Sequence, residues 1–444
     1  MWQRATTTPL RRAAAVLGAL ALAAVTVPAA QAAEAGTAPG RGGGHTPLAP
    51  TPYMGWNTYY GLGAPTEGQV KDVARQMARS GLLRAGYDIV WLDGGWQGPE
   101  PRDARGRLTA DAGRFPSGIP ALVNWLHRHG FRAGIYTDAG EYDGGTSCGL
   151  GSGGHQEQDA RQFADWKVDA VKVDFLCGIS QKLDPAPTFK KFTDAVAKTG
   201  RPMLLNLCNP LTDDWGIPHT PAQDAHHAYT YGPALATSWR TDTDIAFGTP
   251  TAGEWSSVLR NMDNNAAHPE AQSPGHYNDP DYLIPTRTLA DGGYELNPEE
   301  STSQFVMWAE MGSPLVIGSD PRTLSPTMLR TLTNPEIIAV DQDPLARQGV
   351  RVAGDTTAEV YSKVLHGRGG RAVAVLNRSG RPATRTVRFA DTGLTGRVAV
   401  RDLRARRDRG AHTGSYTVTV PPHGTAFLRL SGHEAAPGAA GTAR

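Results

Sequence analysis

Two short stretches each end an apolar, strand-like run on a carboxylate with a cation close by. In Val171-Lys172-Val173-Asp174 the lysine stands two residues before the aspartate, and in Trp239-Arg240-Thr241-Asp242-Thr243-Asp244 the arginine stands four before the last aspartate. Paired carboxylates beside fixed cations suit glycoside hydrolysis: one attacks or stabilises the sugar cation and the other shuttles a proton. A single carboxylate at a strand end is often only a helix N-cap. Here, however, polar residues close many runs: Trp56-Asn57, Asp93, Asp138, Lys172 and Asp174, Cys208-Asn209, Arg240 and Asp244, and Asp279 and Asp281. Such repetition argues for one shared site, because barrel enzymes build their sites at the C-terminal ends of strands.

The elements that must position these residues show as alternating patterns between residues 50 and 345. DIVWLD (88–93), RAGIYTD (132–138), DAVKVD (169–174) and PLVIG (314–318) read as strands. Ile119, Leu122, Val123 and Leu126 recur at helical spacing with Ser117 placed to cap, and Val70, Val73, Ala74, Met77 and Ala78 form a second stripe. Strands alternating with helices predict a parallel sheet, and the length and repeat number favour a (β/α)8 barrel over an open doubly wound sheet. No GxGxxG follows the first strand, so a dinucleotide fold has no support. From 346 to 432 short alternating runs such as Tyr416-Thr417-Val418-Thr419-Val420, separated by Gly and Pro, predict an antiparallel β-sandwich. The expected fold class is α/β: a (β/α)8 TIM barrel followed by a C-terminal antiparallel β-sandwich domain. The Ala/Gly-rich tail, 433–444, is expected to be disordered.

Lys and Arg total 44 and Asp and Glu 43, so no basic excess exists to hold nucleic acid. Several of the 10 tryptophans sit in Gly-rich, loop-like contexts, as in Gly95-Trp96 and Asp214-Trp215-Gly216. Aromatic planes of this kind pack on the C–H faces of pyranoses, although any one Trp is as readily core. Residues 1–32 read as a signal peptide: Arg4, Arg11 and Arg12, then an uncharged run from Ala13 to Pro28, then Ala30-Gln31-Ala32 as a small-x-small cleavage site. The run is too short and too weakly hydrophobic for a membrane span. The expectation is a secreted protein with a disordered leader over 33–49. Three cysteines in an exported chain suggest one bridge and one free thiol. The apolar run Met203 to Leu207 marks Cys208 as the buried thiol, which favours Cys148 and Cys177 as the pair. No CxxC or nearby His pair accompanies them, so no zinc site is expected.

Further motifs run in order along the chain: Met54-Gly55-Trp56-Asn57, Gly134-Ile135-Tyr136-Thr137-Asp138-Ala139-Gly140, Lys172-Val173-Asp174, Trp239-Arg240 with Asp244, Asn278-Asp279-Pro280-Asp281, MWAEMGSPLVIGSD (307–320) and Asp341-Gln342-Asp343-Pro344-Leu345. With these the chain resembles glycoside hydrolase family 27, the α-galactosidases and α-N-acetylgalactosaminidases. The resemblance implies a retaining exo-glycosidase that cleaves terminal α-D-galactosyl residues by double displacement, with a carbohydrate substrate and no metal or other cofactor. It implies Asp174 as nucleophile, kept ionised by Lys172, and Asp244 as general acid/base, chosen over Asp242 by the family's Arg-x-x-x-Asp spacing. Arg240 would orient the hydroxyl next to the anomeric carbon, Trp56 would stack on the sugar, and Asp93 would accept from its hydroxyls. Asp281 would line the pocket, and Asn209 would stand near the 2-hydroxyl.

Three departures from the family pattern bear on specificity. The family's adjacent Asp pair appears here as Asp93-Gly94, which removes an acceptor for the far hydroxyls of galactose and opens space. The bridge cysteine normally follows the nucleophile by two residues, whereas here Phe175 and Leu176 intervene before Cys177. Asn209-Pro210 replaces a Glu or Asn followed by Trp. The alternatives are a family member of shifted specificity, releasing isomaltose from dextran ends or β-L-arabinopyranose, or a local slip in which another carboxylate replaces the missing one. From another class comes a non-catalytic sugar-binding protein on a decayed scaffold. Intact Asp174, Asp244, Lys172 and Arg240 argue against decay.

Overall fold

The computed structural model describes residues 48–208 and 226–435, which belong to one compact unit. The expected signal peptide, Asn209, Trp215 and the tail beyond 435 lie outside the described residues. Short runs buried along nearly their whole length form eight parallel strands; most are largely apolar, while Ser238–Arg240 and Tyr277–Asp279 bury polar side chains as well. They are β1 Met54–Asn57, β2 Ile89–Leu92, β3 Arg132–Asp138, β4 Ala170–Asp174, β5 Leu204–Leu207, β6 Ser238–Arg240, β7 Tyr277–Asp279 and β8 Leu315–Ile317. Their order is β8-β1-β2-β3-β4-β5-β6-β7. The ring closes just after β7, where Leu283 bridges to Ile317: the Leu283 N–H donates to the Val316 carbonyl at 2.8 Å, and the Gly318 N–H donates to Leu283 at 2.7 Å. The TIM barrel expected from the alternating pattern is thus formed.

Register decides which side chains meet. Lys172 pairs with Tyr136 on one side and Asn206 on the other, and Asp174 pairs with Asp138. Residues two apart on a strand share a face. Lys172 and Asp174 therefore project together, with Tyr136 and Asp138 beside them.

The helices follow their apolar stripes. Glu67–Ser80 buries Val70, Val73, Ala74 and Met77, and Thr66 with Gln69 closes a capping box at its start. Ile119–Arg128 buries Ile119, Leu122, Val123 and Leu126. The cap expected from Ser117 is not formed. Gly118 takes the N-cap position with φ 77°, a conformation that favours glycine, and the Ser117 N–H donates to Glu67 instead.

Eight further strands make the C-terminal domain: β9 Val350–Gly354, β10 Ala358–Val364, β11 Gly370–Asn377, β12 Ala383–Arg388, β13 Leu394–Asp402, β14 Arg407–Thr413, β15 Ser415–Val420 and β16 Thr425–Glu434. Six pair antiparallel in the order β9-β10-β11-β16-β13-β14, and β12 with β15 forms a facing ribbon. Alternation along β11 splits its side chains between two cores. Val373 and Val375 join Val387, Val398, Val400 and Val420 inside the sandwich. Ala372, Ala374 and Leu376 join the barrel's core together with Phe427 of β16. The helix Pro298–Met311 lies on this side, and every residue from Ser301 to Met311 is buried.

That helix carries Glu310 into the seam. Glu310 is fully buried, as are Lys363 of β10 and Asp341. Burial pushes the Glu310 carboxyl up from 4.5 to about 8, against the pull of Lys363. Between those values the folded protein keeps a proton that the unfolded chain releases, so stability falls as pH rises through that window. Glu310→Gln keeps the shape without the acid. Its melting temperature should therefore fall less steeply than the wild type's across the same window; equal slopes would show that Glu310 does not titrate there.

Candidate active site

Lys172 and Asp93 form the floor of a cavity at the C-terminal end of the barrel. Both are almost wholly buried, and the ammonium donates to Asp93 Oδ2 at 2.9 Å. The same oxygen accepts from Asn57 Nδ2 at 2.7 Å and from the Tyr282 hydroxyl at 3.3 Å. Asp93 Oδ1 accepts the Gly94 N–H at 2.8 Å. Asn57 does double duty, because its Oδ1 also caps the helix Thr58–Leu62 at Tyr59. Rings of Tyr59, Tyr136 and Tyr282 surround the ammonium, with centroids 5.8, 5.5 and 5.3 Å away. Burial alone would pull the Lys172 pKa down, but Asp93 and its neighbours outweigh it and hold the group well above its ordinary value.

Asp174 ends β4 beside this pair. Its Oδ1 accepts the Phe175 N–H at 2.8 Å and its Oδ2 accepts the Tyr136 hydroxyl at 3.1 Å. Burial raises its pKa, Lys172 draws it back down, and the charge of Asp244 adds to the rise. Asp138, the register partner, accepts from Gly140 at 2.7 Å and from Cys177 at 3.1 Å. Burial and the charge of Asp174 push Asp138 up to about 7. The Cys148–Cys177 bridge, Cα–Cα 5.4 Å, ties the loop after β3 to the turn after β4. A Cβ on Gly140 would lie 2.5 Å from the Gly178 nitrogen, so only glycine lets these two backbones cross.

Asp244 approaches from the other side. Its side chain is 26% exposed, and Arg240 Nη2 donates to its Oδ1 at 3.1 Å. Arg240 is buried; its Nη1 forms an ion pair with Asp281 at 2.9 Å, and the same Nη2 also donates to the Thr243 carbonyl at 2.8 Å. Asp281 is itself out of water and holds φ 87°, which several partners enforce: Tyr60 OH at 2.5 Å, the Ile245 N–H at 2.7 Å and Asp279 on its own N–H at 2.9 Å. Burial lifts Asp281 to about 6 in spite of Arg240.

The cavity measures about 160 Å³ and is lined by Tyr59, Asp93, Gly94, Tyr136, Lys172, Asp174, Leu176, Cys208, Asp244 and Phe247. Of the residues expected from the sequence, it gathers Asp93, Lys172, Asp174 and Asp244. Arg240 and Asp281 stand behind Asp244 rather than on the wall. Trp56 does not stack over the cavity: it is fully buried and its indole N–H donates to the Ser319 carbonyl at 3.0 Å. Its position in β1, one residue before Asn57, puts it on the opposite face of the strand. Cys208 is the free, buried thiol expected. Gly94 lines the wall, and a Cβ there would first meet the Tyr136 ring at 3.6 Å, an ordinary contact. Among the described lining residues the carboxylates are Asp93, Asp174 and Asp244, with none in place of the missing one.

A family model described as alpha galactosidase A matches residues 64–343. The chain belongs to glycoside hydrolase family 27. A second family model, for the alpha galactosidase C-terminal beta sandwich domain, matches residues 355–430. The chain is 35% identical over 408 residues to alpha-galactosidase A of Cellvibrio japonicus (strain Ueda107), covering 86% of this chain and 93% of that protein. It is 34% identical over 382 residues to the alpha-galactosidase of Oryza sativa subsp. japonica, covering 85% and 84%. Among solved structures it is similar to alpha-galactosidase I from Mortierella vinacea, with TM-score 0.76 and 29% identity over 87% of this chain and 98% of that one. The protein is a glycosidase, and its substrate is a carbohydrate.

Tyr59, Tyr136, Tyr282 and Phe247 were not picked out by sequence reasoning, whereas Asp138 was named there among the strand-end polar residues. Tyr136 carried a usable signal, since it shares the face of Asp138 on β3. The electrostatics also allow a test. Lys172→Met removes the cation that draws the Asp174 pKa down and leaves its burial intact. The acid limb of kcat/KM against pH should move to higher pH. An unshifted limb would show that Lys172 does not act on Asp174.

Proposed function

We propose that the protein is an exported, retaining exo-α-galactosidase acting by double displacement. The observation that carries this reading is the single small cavity shared by Asp174, Asp244, Lys172 and Asp93 in a family-27 barrel. Asp174 attacks the anomeric carbon and forms a glycosyl ester, while Asp244 gives its proton to the departing oxygen. Asp244 then takes a proton from water, whose oxygen attacks the same carbon and frees Asp174. Two inversions restore the original configuration. Phe175 and Tyr136 hold the Asp174 oxygens in place, and Arg240, backed by Asp281, does so for Asp244. The signal-like first 32 residues support export, as does a bridge of a kind that persists in oxidising compartments.

Gly94 favours a second reading of the glycone. Among the described residues the space beside Tyr136 carries no carboxylate for a distant hydroxyl, which suits a sugar that lacks that group or bears a substituent on it. Release from an aryl α-galactoside, an aryl β-L-arabinopyranoside and dextran separates the two. Galactose release supports the first reading; release only from one of the others supports the second.

Asp174→Asn should abolish turnover with the fold intact by circular dichroism, and substantial residual activity would sink the nucleophile assignment. Asp244→Ala should keep activity on substrates with good leaving groups and gain from azide. Equal loss on good and poor leaving groups without rescue would count against the acid/base role. A Cβ at position 94 meets only ordinary contacts, and Gly94→Asp should raise kcat/KM for the galactoside relative to the arabinopyranoside; a ratio left unchanged would mean that position 94 does not set the glycone.

A further inference from the structure

Phe247 comes three residues after Asp244 and lines the cavity, yet it is 55% exposed. The other large hydrophobic side chains exposed among the described residues, Leu48, Leu183, Tyr294 and Val350, do not line it. A half-exposed ring contributes little to folding by burial. Its loop is nevertheless firmly held. Arg287 Nη2 donates to the carbonyls of Phe247 and Gly248 at 2.7 and 3.2 Å. Nη1 of the same guanidinium donates to Glu295 at 2.7 Å, and both members of that pair are buried. Glu295 in turn accepts the Thr251 N–H at 2.9 Å. Upstream, the Ile245 N–H is fixed on Asp281. A buried ion pair is costly to desolvate. This one binds two loops together and presents an apolar ring to water at the mouth of the cavity.

We infer that Phe247 is the platform for the leaving group: the ring that departs when the glycosidic bond breaks packs its apolar face on this side chain. The inference rests on the exo-glycosidase reading above. Asp93, Lys172 and Asp174 are buried at the closed end, where the released sugar fits. Asp244 is the partly exposed carboxylate, and an acid that protonates the departing oxygen has the leaving group next to it. Phe247 follows on the same segment. A phenyl ring offers no hydrogen bond, so it selects C–H faces and aryl groups and not particular hydroxyls. The substrate class is therefore a glycoside whose leaving group is a pyranose or an aryl ring, with tolerance for which pyranose it is.

The test compares an α-galactosyl disaccharide with α-galactosyl fluoride, whose leaving group has no ring to stack. In Phe247→Ala the ratio of kcat/KM for the disaccharide over the fluoride should fall roughly threefold to tenfold, mainly through KM. Phe247→Trp keeps a flat ring and should hold the ratio within about twofold of wild type. An unchanged ratio in Phe247→Ala, with wild type active on both substrates, overturns the platform alone. A wild-type enzyme inactive on both overturns the galactosidase reading and the platform with it.

Discussion

A lysine and an aspartate held 2.9 Å apart, almost wholly out of water, fix the geometry of this site. Neither charge is tolerable alone in that setting, since an unpaired buried ion costs several kcal/mol even after relaxation. The pair survives because each partner is also held by others. Asn57 brings the end of β1 to Asp93, Tyr282 brings the chain that follows β7, and Lys172 comes from β4. Three separate parts of the barrel wall therefore converge on one carboxylate oxygen, and the ring of strands closes around that point.

A second cation repeats the arrangement on the opposite wall. Arg240 takes Asp281 on one nitrogen and Asp244 on another, and Asp281 reaches this position only through a left-handed backbone. Two cations face more carboxylates than they can neutralise, namely Asp93, Asp174, Asp138, Asp244, Asp279 and Asp281. The crowding shows in the upward displacement of Asp138 and Asp281, for which burial is the largest cause and a neighbouring carboxylate adds to it. The two carboxylates nearest the reaction differ in setting: Asp174 is buried and Asp244 is partly open to water. One environment suits a group that attacks, the other a group that exchanges protons with solvent.

The strand-end carboxylates were legible in the sequence because the apolar runs before them are short and continuous. Lys172 and Asp174 also share a parity, so their common orientation followed from the period of a strand. What could not be read was depth. Arg240 and Asp281 have the residue types of a binding wall, yet neither lines the cavity: Asp281 is held by Tyr60, Ile245 and Arg240, and Arg240 holds Asp244. Trp56 has the type of a sugar platform but the parity of a core residue. Ser117 had the type of a helix cap, and a glycine in a left-handed turn took its place. Phe247 sits in a run with no periodicity, and its place is fixed by partners far along the chain, above all the clamp from Arg287, 40 residues later.

The helix Pro298–Met311 ties the history of each molecule to the order of its synthesis. It is buried from Ser301 to Met311, and part of its cover comes from β11 and β16, the latter beginning at Thr425. Domains generally fold in the order in which they leave the ribosome. The helix is not fully packed on that schedule: when β8 has emerged, β10, β11 and β16, which pack on it, have not been made, and neither has Lys363, the cation beside Glu310. The sandwich-facing side of this helix is covered in full only when β16, the last described strand, has been made, so a chain that stops before it leaves an apolar seam open.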